Sequence, residues 1–127
     1  MKTVISSSNA PKAIGPYSQA IAVSQGKTIY LSGQIPIDLS VGDITALDIQ
    51  SQTKQVILNL NNILKEAGGS LSNIVKTTVF LTDMSEFSAM NEIYASFFKD
   101  ECPARSTIEV CKLPKNAKIE IEAIAVI

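Results

Sequence analysis

Histidine and tryptophan are absent from the chain, and only two cysteines occur. Without histidine there is no Ser-His-Asp triad, no Cys-His dyad and no imidazole-ligated metal site. Cys102 and Cys111 match no CxxC pair, and two thiolates alone make a poor zinc site, so they read as reduced thiols. An excess of either charge is also lacking. Eleven basic and 12 acidic residues give a net charge of −1, with no basic block to serve as a nucleic-acid footprint. No apolar run approaches the ~20 residues of a membrane span. Met1-Lys2-Thr3-Val4-Ile5-Ser6 has no apolar signal core, which gives the expectation of a cytoplasmic protein and leaves organellar import open. Any catalysis therefore rests on Arg, Lys, Glu, Asp, Tyr, Ser, Thr or backbone groups, with no cofactor or metal expected.

What is present is a chain of 127 residues, 46% apolar and 18% charged, the balance of a folded globule. It carries no repeat and no linker-like stretch, so residues 1–127 are expected to form one domain. A mean hydropathy of +0.20 is high for so small a domain, and a partner subunit would cover part of that apolar surface.

Gln19 to Gln25 and Thr28 to Ser32 are short β-type runs split by Gln25-Gly26-Lys27, a hairpin signal. Thr45 as a cap, with Asp48 three residues on, predicts a helix start. Ile49, Val56, Ile57, Leu60, Ile63, Leu64 and Ala67 then recur at helical spacing until Gly68-Gly69 stops a helix of about 20 residues. Ile74 to Leu81 is β-branched and predicts a strand. Phe87, Met90, Ile93, Tyr94, Phe97 and Phe98 predict a second amphipathic helix. Arg105 to Val110 and Lys118 to Val126 predict two more strands. In the latter, Ile119, Ile121, Ala123 and Ala125 face one side, and Glu120, Glu122, Ile124 and Val126 the other. The order β-β-α-β-α-β-β, with hairpins expected at both ends, predicts an α+β two-layer sandwich: one mixed β-sheet with two helices on one face.

Arg105 opens a strand directly after a Pro-Ala turn. It fits either an anchor for a small carboxylic acid or a structural ion pair with a neighbour such as Glu109. Glu120 lies mid-strand, as a proton-shuttling carboxylate or as an exposed strand-face residue. Tyr17 follows a Gly-Pro loop and serves either a ligand or the packing. Ser32-Gly33 ends a strand where a ligand can approach the backbone closely. Asn91 is a polar group on the apolar stripe of the second helix.

Together these residues sit in a recognisable pattern. AIGPYSQA at 13–20, LSGQIP at 31–36, IVKTTVFLTD at 74–83, CPARSTIEV at 102–110 and LPKNAKIEIEAIAV at 113–126 resemble the RidA/YjgF family of reactive-intermediate deaminases over essentially the whole chain. The resemblance implies a chorismate-mutase-like fold and a homotrimer with sites in clefts between subunits. It also implies hydrolysis of 2-imino acids or their enamines to 2-oxo acids and ammonia. Arg105 matches the family arginine that binds the substrate carboxylate, and Glu120 the glutamate that positions water. Tyr17, Ser32, Gly33 and Asn91 match residues lining the same cleft. Thr107, implied as a further substrate contact, stands where many members carry Cys. Two further roles stay open: an RNA-cleaving translation inhibitor, as some members are described, and a non-enzymatic metabolite sensor or chaperone.

Overall fold

The computed structural model describes residues 2–127. The chain runs β1 (Lys2–Ile5), β2 (Ala20–Val23), β3 (Thr28–Gln34), β4 (Ile37–Asp38), β5 (Asp43–Ile44), α1 (Ile49–Glu66), β6 (Ile74–Leu81), α2 (Phe87–Phe97), β7 (Ala104–Glu109) and β8 (Ile119–Val126). The main sheet has four strands in the order β3-β8-β6-β7. β8 is antiparallel to both β3 and β6, and β6 is parallel to β7, so the sheet is mixed. β1 pairs with β2, and β4 with β5, as two small antiparallel ribbons.

Alternation in β6 and β8 decides which face is covered. Thr77, Val79 and Leu81 of β6 and Ile119, Ile121, Ala123 and Ala125 of β8 are buried. They meet Val56, Ile57, Leu60 and Leu64 of α1 and Met90 and Tyr94 of α2. α1 lies on β8 and β3, and α2 lies against α1. Each fully buried Leu or Ile contributes about 1.5–3 kcal/mol, whereas an exposed ion pair gives about 0–1. The helix–sheet core therefore dominates over the two surface ion pairs among the described residues, Lys115–Asp43 and Lys118–Glu86. The fold is α+β, two helices packed on one mixed sheet, as expected. The opposite sheet face carries Lys76, Thr78, Phe80, Glu120, Glu122, Ile124 and Val126, with Tyr30 and Ile108 exposed beside them.

Neither terminal hairpin forms. The Gln25-Gly26-Lys27 turn is present, but β2 pairs with β1 and β3 pairs with β8. The turn is held from the far end of the chain: Lys27 and Ile127 exchange backbone hydrogen bonds of 2.7 and 2.9 Å. At the other end, β7 joins β6 in parallel and leaves β8 in the centre. β8 buries every second residue, so it takes two sheet neighbours, while β7, with Ser106, Ile108 and Glu109 exposed, takes the edge. The first helix also begins later than expected. Asp48, not Thr45, is its N-cap, accepting a hydrogen bond from the Ser51 amide at 3.0 Å. It ends as predicted: Gly68 takes a φ of +87°, and the Gly69 amide donates to the Leu64 carbonyl at 2.8 Å. Ile63, placed in the apolar stripe, is 38% exposed. No helix among the described residues is long and apolar enough to cross a membrane.

Candidate active site

The candidate residues fall into two groups on opposite faces of the sheet. Arg105 pairs in register with Thr77, whose side chain is buried under the helices, so Arg105 points to the helix face at the β7 edge. There its Nη1 donates to Asn91 Oδ1 of α2 at 2.6 Å. Three rings surround the guanidinium, with Cζ 4.8 Å from the Tyr94 centroid and 5.6 Å from those of Phe87 and Tyr17. Phe87, Asn91 and Tyr94 lie at i, i+4 and i+7 of α2, one stripe of the helix. Tyr17 arrives from the N-terminal loop. The neighbouring Ser18 amide donates to the Pro103 carbonyl at 3.1 Å, and its hydroxyl to the Cys102 carbonyl at 2.5 Å, which pins that loop to the start of β7.

This setting leaves Arg105 without an acidic partner. Neither ion pair among the described residues includes it, and Glu109 instead accepts from the Met84 amide at 2.8 Å. Burial against the rings lowers its pKa from the ordinary arginine value, because desolvation disfavours the cation. An arginine pKa lies so high that the group stays charged. A desolvated guanidinium with one in-plane hydrogen given to an amide, and no carboxylate of its own, keeps N–H donors that an external anion could take. Thr107 lies two residues along on the same face, and its hydroxyl is buried with no hydrogen-bond partner.

The second group gathers at the bulge of β3. The β3–β8 register shifts between Leu31 and Gln34, beside Glu120 of β8. Glu120 pairs with Phe80 and so occupies the face away from the helices, half-buried. Its carboxylate lies over Gly33: a Cβ there would sit 2.0 Å from Oε2 and 2.8 Å from Cδ. Gly33 is needed for this close approach. Ser32, next to it, is exposed.

Thus Arg105, Asn91, Tyr17 and Thr107 share one neighbourhood, and Glu120, Ser32 and Gly33 share another. Arg105 and Glu120 are two strands and three register positions apart, on the order of 14 Å between Cα atoms, and they project from opposite faces. A single chain does not bring the guanidinium and the carboxylate to one ligand.

Phe87 and Tyr94, legible in the sequence only as part of an amphipathic stripe, pack in or against the core and also flank the guanidinium. Their shared spacing with Asn91 was the available signal.

Comparisons with known proteins bear on the family. Residues 7–127 match the family model described as Endoribonuclease L-PSP. The chain is 48% identical to the human 2-iminobutanoate/2-iminopropanoate deaminase over 99% of this chain and 90% of that one. Among solved structures it resembles a Rid-family protein of Yersinia pestis, with a TM-score of 0.77, 51% identity and full coverage of both chains. It also resembles E. coli TdcF solved with bound serine, with a TM-score of 0.75, 43% identity and 98% coverage of each. On its motifs, its fold and these likenesses, the chain belongs to the RidA/YjgF family, also called the endoribonuclease L-PSP family.

Proposed function

We propose that this protein hydrolyses 2-imino acids, such as 2-iminobutanoate and 2-iminopropanoate, to 2-oxo acids and ammonia, in sites shared between the subunits of a homotrimer. The observation that carries the reading is the Arg105 guanidinium, ringed by Tyr94, Phe87 and Tyr17 and lacking an acidic partner. It is a seat for one small carboxylate. The human relative's name and the serine bound to E. coli TdcF, itself a small α-carboxylate, support the same substrate class.

In this mechanism Arg105 takes the substrate carboxylate through two parallel N–H···O contacts and so fixes the adjacent iminium carbon. The Thr107 hydroxyl, unpartnered within its own chain, is the second contact beside it. Glu120 comes from the neighbouring subunit together with Ser32 and Gly33, and holds a water against the iminium carbon. As the water oxygen bonds to that carbon, Glu120 takes its proton and the C=N pair of electrons moves to nitrogen. Glu120 then returns the proton to nitrogen. The carbon–nitrogen bond breaks, ammonia leaves, and the hydroxyl proton passes to Glu120 and on to ammonia or solvent as the 2-oxo group forms. The iminium carbon is already electrophilic, so an anchor and one carboxylate are enough.

The family's other label, endoribonuclease, is the competing reading. It sits poorly with a chain that has no histidine and a net charge of −1. One preparation tests both. Ammonia release from freshly generated 2-iminobutanoate is expected from the parent protein and lost in Arg105→Ala, with single-stranded RNA left intact. RNA cleavage that persists in the purified parent without ammonia release would replace this reading with the other.

A further inference from the structure

Of the three rings around Arg105, the nearest is the one most completely buried. Tyr94 has no solvent exposure, and its centroid is 4.8 Å from Cζ. Its hydroxyl and the Thr77 hydroxyl are hydrogen-bonded at 2.8 Å, and Thr77 is itself fully buried, directly beside Arg105 in the β6–β7 register. On another side Tyr94 packs against Phe98, ring centroids 4.5 Å apart. The ring is therefore fixed both by its tip and by its face. A Phe–Val pair of the same shape would fill this space without two polar groups to satisfy in the core. The hydroxyl pair adds a directional contact that packing alone does not, one that restricts the angle of the ring.

That angle matters because an arginine side chain has several rotatable bonds, and a two-point contact with a carboxylate requires its fork to be held in one plane. Asn91 takes one hydrogen of Nη1. Tyr94 supplies the surface on which the guanidinium rests. We propose that Tyr94, tethered by Thr77, is a positioning residue that sets the plane of the Arg105 guanidinium and aims its free N–H edge at the ligand carboxylate. This rests on the reading of Arg105 as carboxylate anchor.

The test is a double-mutant cycle. Kd for 2-oxobutanoate and kcat and KM for 2-iminobutanoate are measured for the parent, Tyr94→Met, Tyr94→Phe and Thr77→Val. Each variant is made with Arg105 and with Arg105→Lys. With Arg105 present, Tyr94→Met should raise Kd and KM about tenfold and leave kcat within about threefold, as expected for two residues in direct contact. Tyr94→Phe keeps the ring but loses the tether, so it should fall between Tyr94→Met and the parent, with Kd and KM about threefold above the parent. In the Arg105→Lys background Tyr94→Met should change nothing further, because there is no plane left to set. Equal losses in both backgrounds, parent-like binding by Tyr94→Met, or a Tyr94→Phe as weak as Tyr94→Met would each overturn the proposal. If Tyr94→Met does not fold, Thr77→Val decides. A loss of about threefold with Arg105 and none with Arg105→Lys supports the tether, and the same effect in both backgrounds overturns it. A parent protein that does not bind 2-oxobutanoate overturns the anchor reading and this one with it. A parent that binds normally confines any failure to Tyr94.

Discussion

At the scale of single residues, the proposed chemistry rests on two side chains and on what holds them. Under the proposed reading Arg105→Ala would remove a charge-assisted, two-point contact worth roughly 2–5 kcal/mol, or about 30- to 5,000-fold in kcat/KM at 1.36 kcal/mol per factor of ten. Arg105→Lys should recover little, since an ammonium does not reproduce the planar fork. Steady-state kinetics check both, and an Arg105→Ala with parent-like kcat/KM would remove the anchor. Gly33→Ala acts differently. Its new Cβ meets the far end of Glu120, 2.0 Å from Oε2, so the flexible carboxylate swings aside while the backbone stays. Turnover should fall by about tenfold or more with the melting temperature nearly unchanged, because the group proposed to hold the water would be misplaced. A folded Gly33→Ala variant with full turnover would show that Glu120 does not act where it lies. Arg105, Asn91, Tyr17 and the Ser32-Gly33 pair were legible in the sequence because each breaks a local pattern: a charge opening a strand, an amide on an apolar stripe, a Gly-Pro loop, a glycine at a strand end. Tyr94 and Phe87 break no pattern. An aromatic on a core stripe looks the same whether it packs on leucine or on a guanidinium, and only the partner strand reveals which.

At the scale of elements, local signals were reliable where the chain itself completes the contact. α1 ends at Gly68 because a left-handed residue there lets the Gly69 amide reach Leu64, a bond within one turn. Its start was misplaced by three residues, because Thr45 and Asp48 both have capping side chains and only the path of the loop selects Asp48. Pairing was not legible. Gln25-Gly26-Lys27 specifies a turn but not what the next strand joins, and β3 is claimed by β8, more than 80 residues away, through the Lys27–Ile127 bonds. The cap carries a pH signature. The Ser51 amide, followed by its hydroxyl, lowers the Asp48 pKa from 3.8. A carboxylate lowered on folding stabilises the folded state above its unfolded pKa, and that contribution disappears as pH falls below about 3.8. Asp48→Ala should therefore lower the melting temperature at neutral pH and bring it closer to that of the parent in acid. Asp48→Asn should keep most of the neutral stability, since an amide oxygen still caps. Thermal melts across pH 7 to pH 3 read this out. A parent–Ala difference that does not shrink in acid would show that the charged cap contributes nothing.

At the scale of the whole molecule, the proposed trimer would join the two half-sites and cover the outer sheet face. The face bearing Ile124 and Val126, with Tyr30 78% exposed beside it, is expected to be buried between subunits, so sedimentation should give a trimer. A stable monomer of 13.6 kDa would remove both the cover and the shared site. The thiols are expected to stand outside the chemistry: burial pushes the Cys102 pKa up and keeps it a thiol, and Cys111 lies exposed on the surface. A Cys102→Ser/Cys111→Ser double variant should retain activity within about threefold, and a hundredfold loss with the trimer intact would show the chemistry misplaced. The most direct test is of the division of the site between subunits. Arg105→Ala and Glu120→Gln proteins, each inactive alone, are unfolded together in equal amounts, refolded, and assayed for ammonia release from 2-iminobutanoate. If every site joins Arg105 of one subunit to Glu120 of the next, random trimers contain intact sites at about a quarter of their interfaces, and about a quarter of the parent rate should return. A mixture that forms trimers and stays as inactive as its two components would contradict the account.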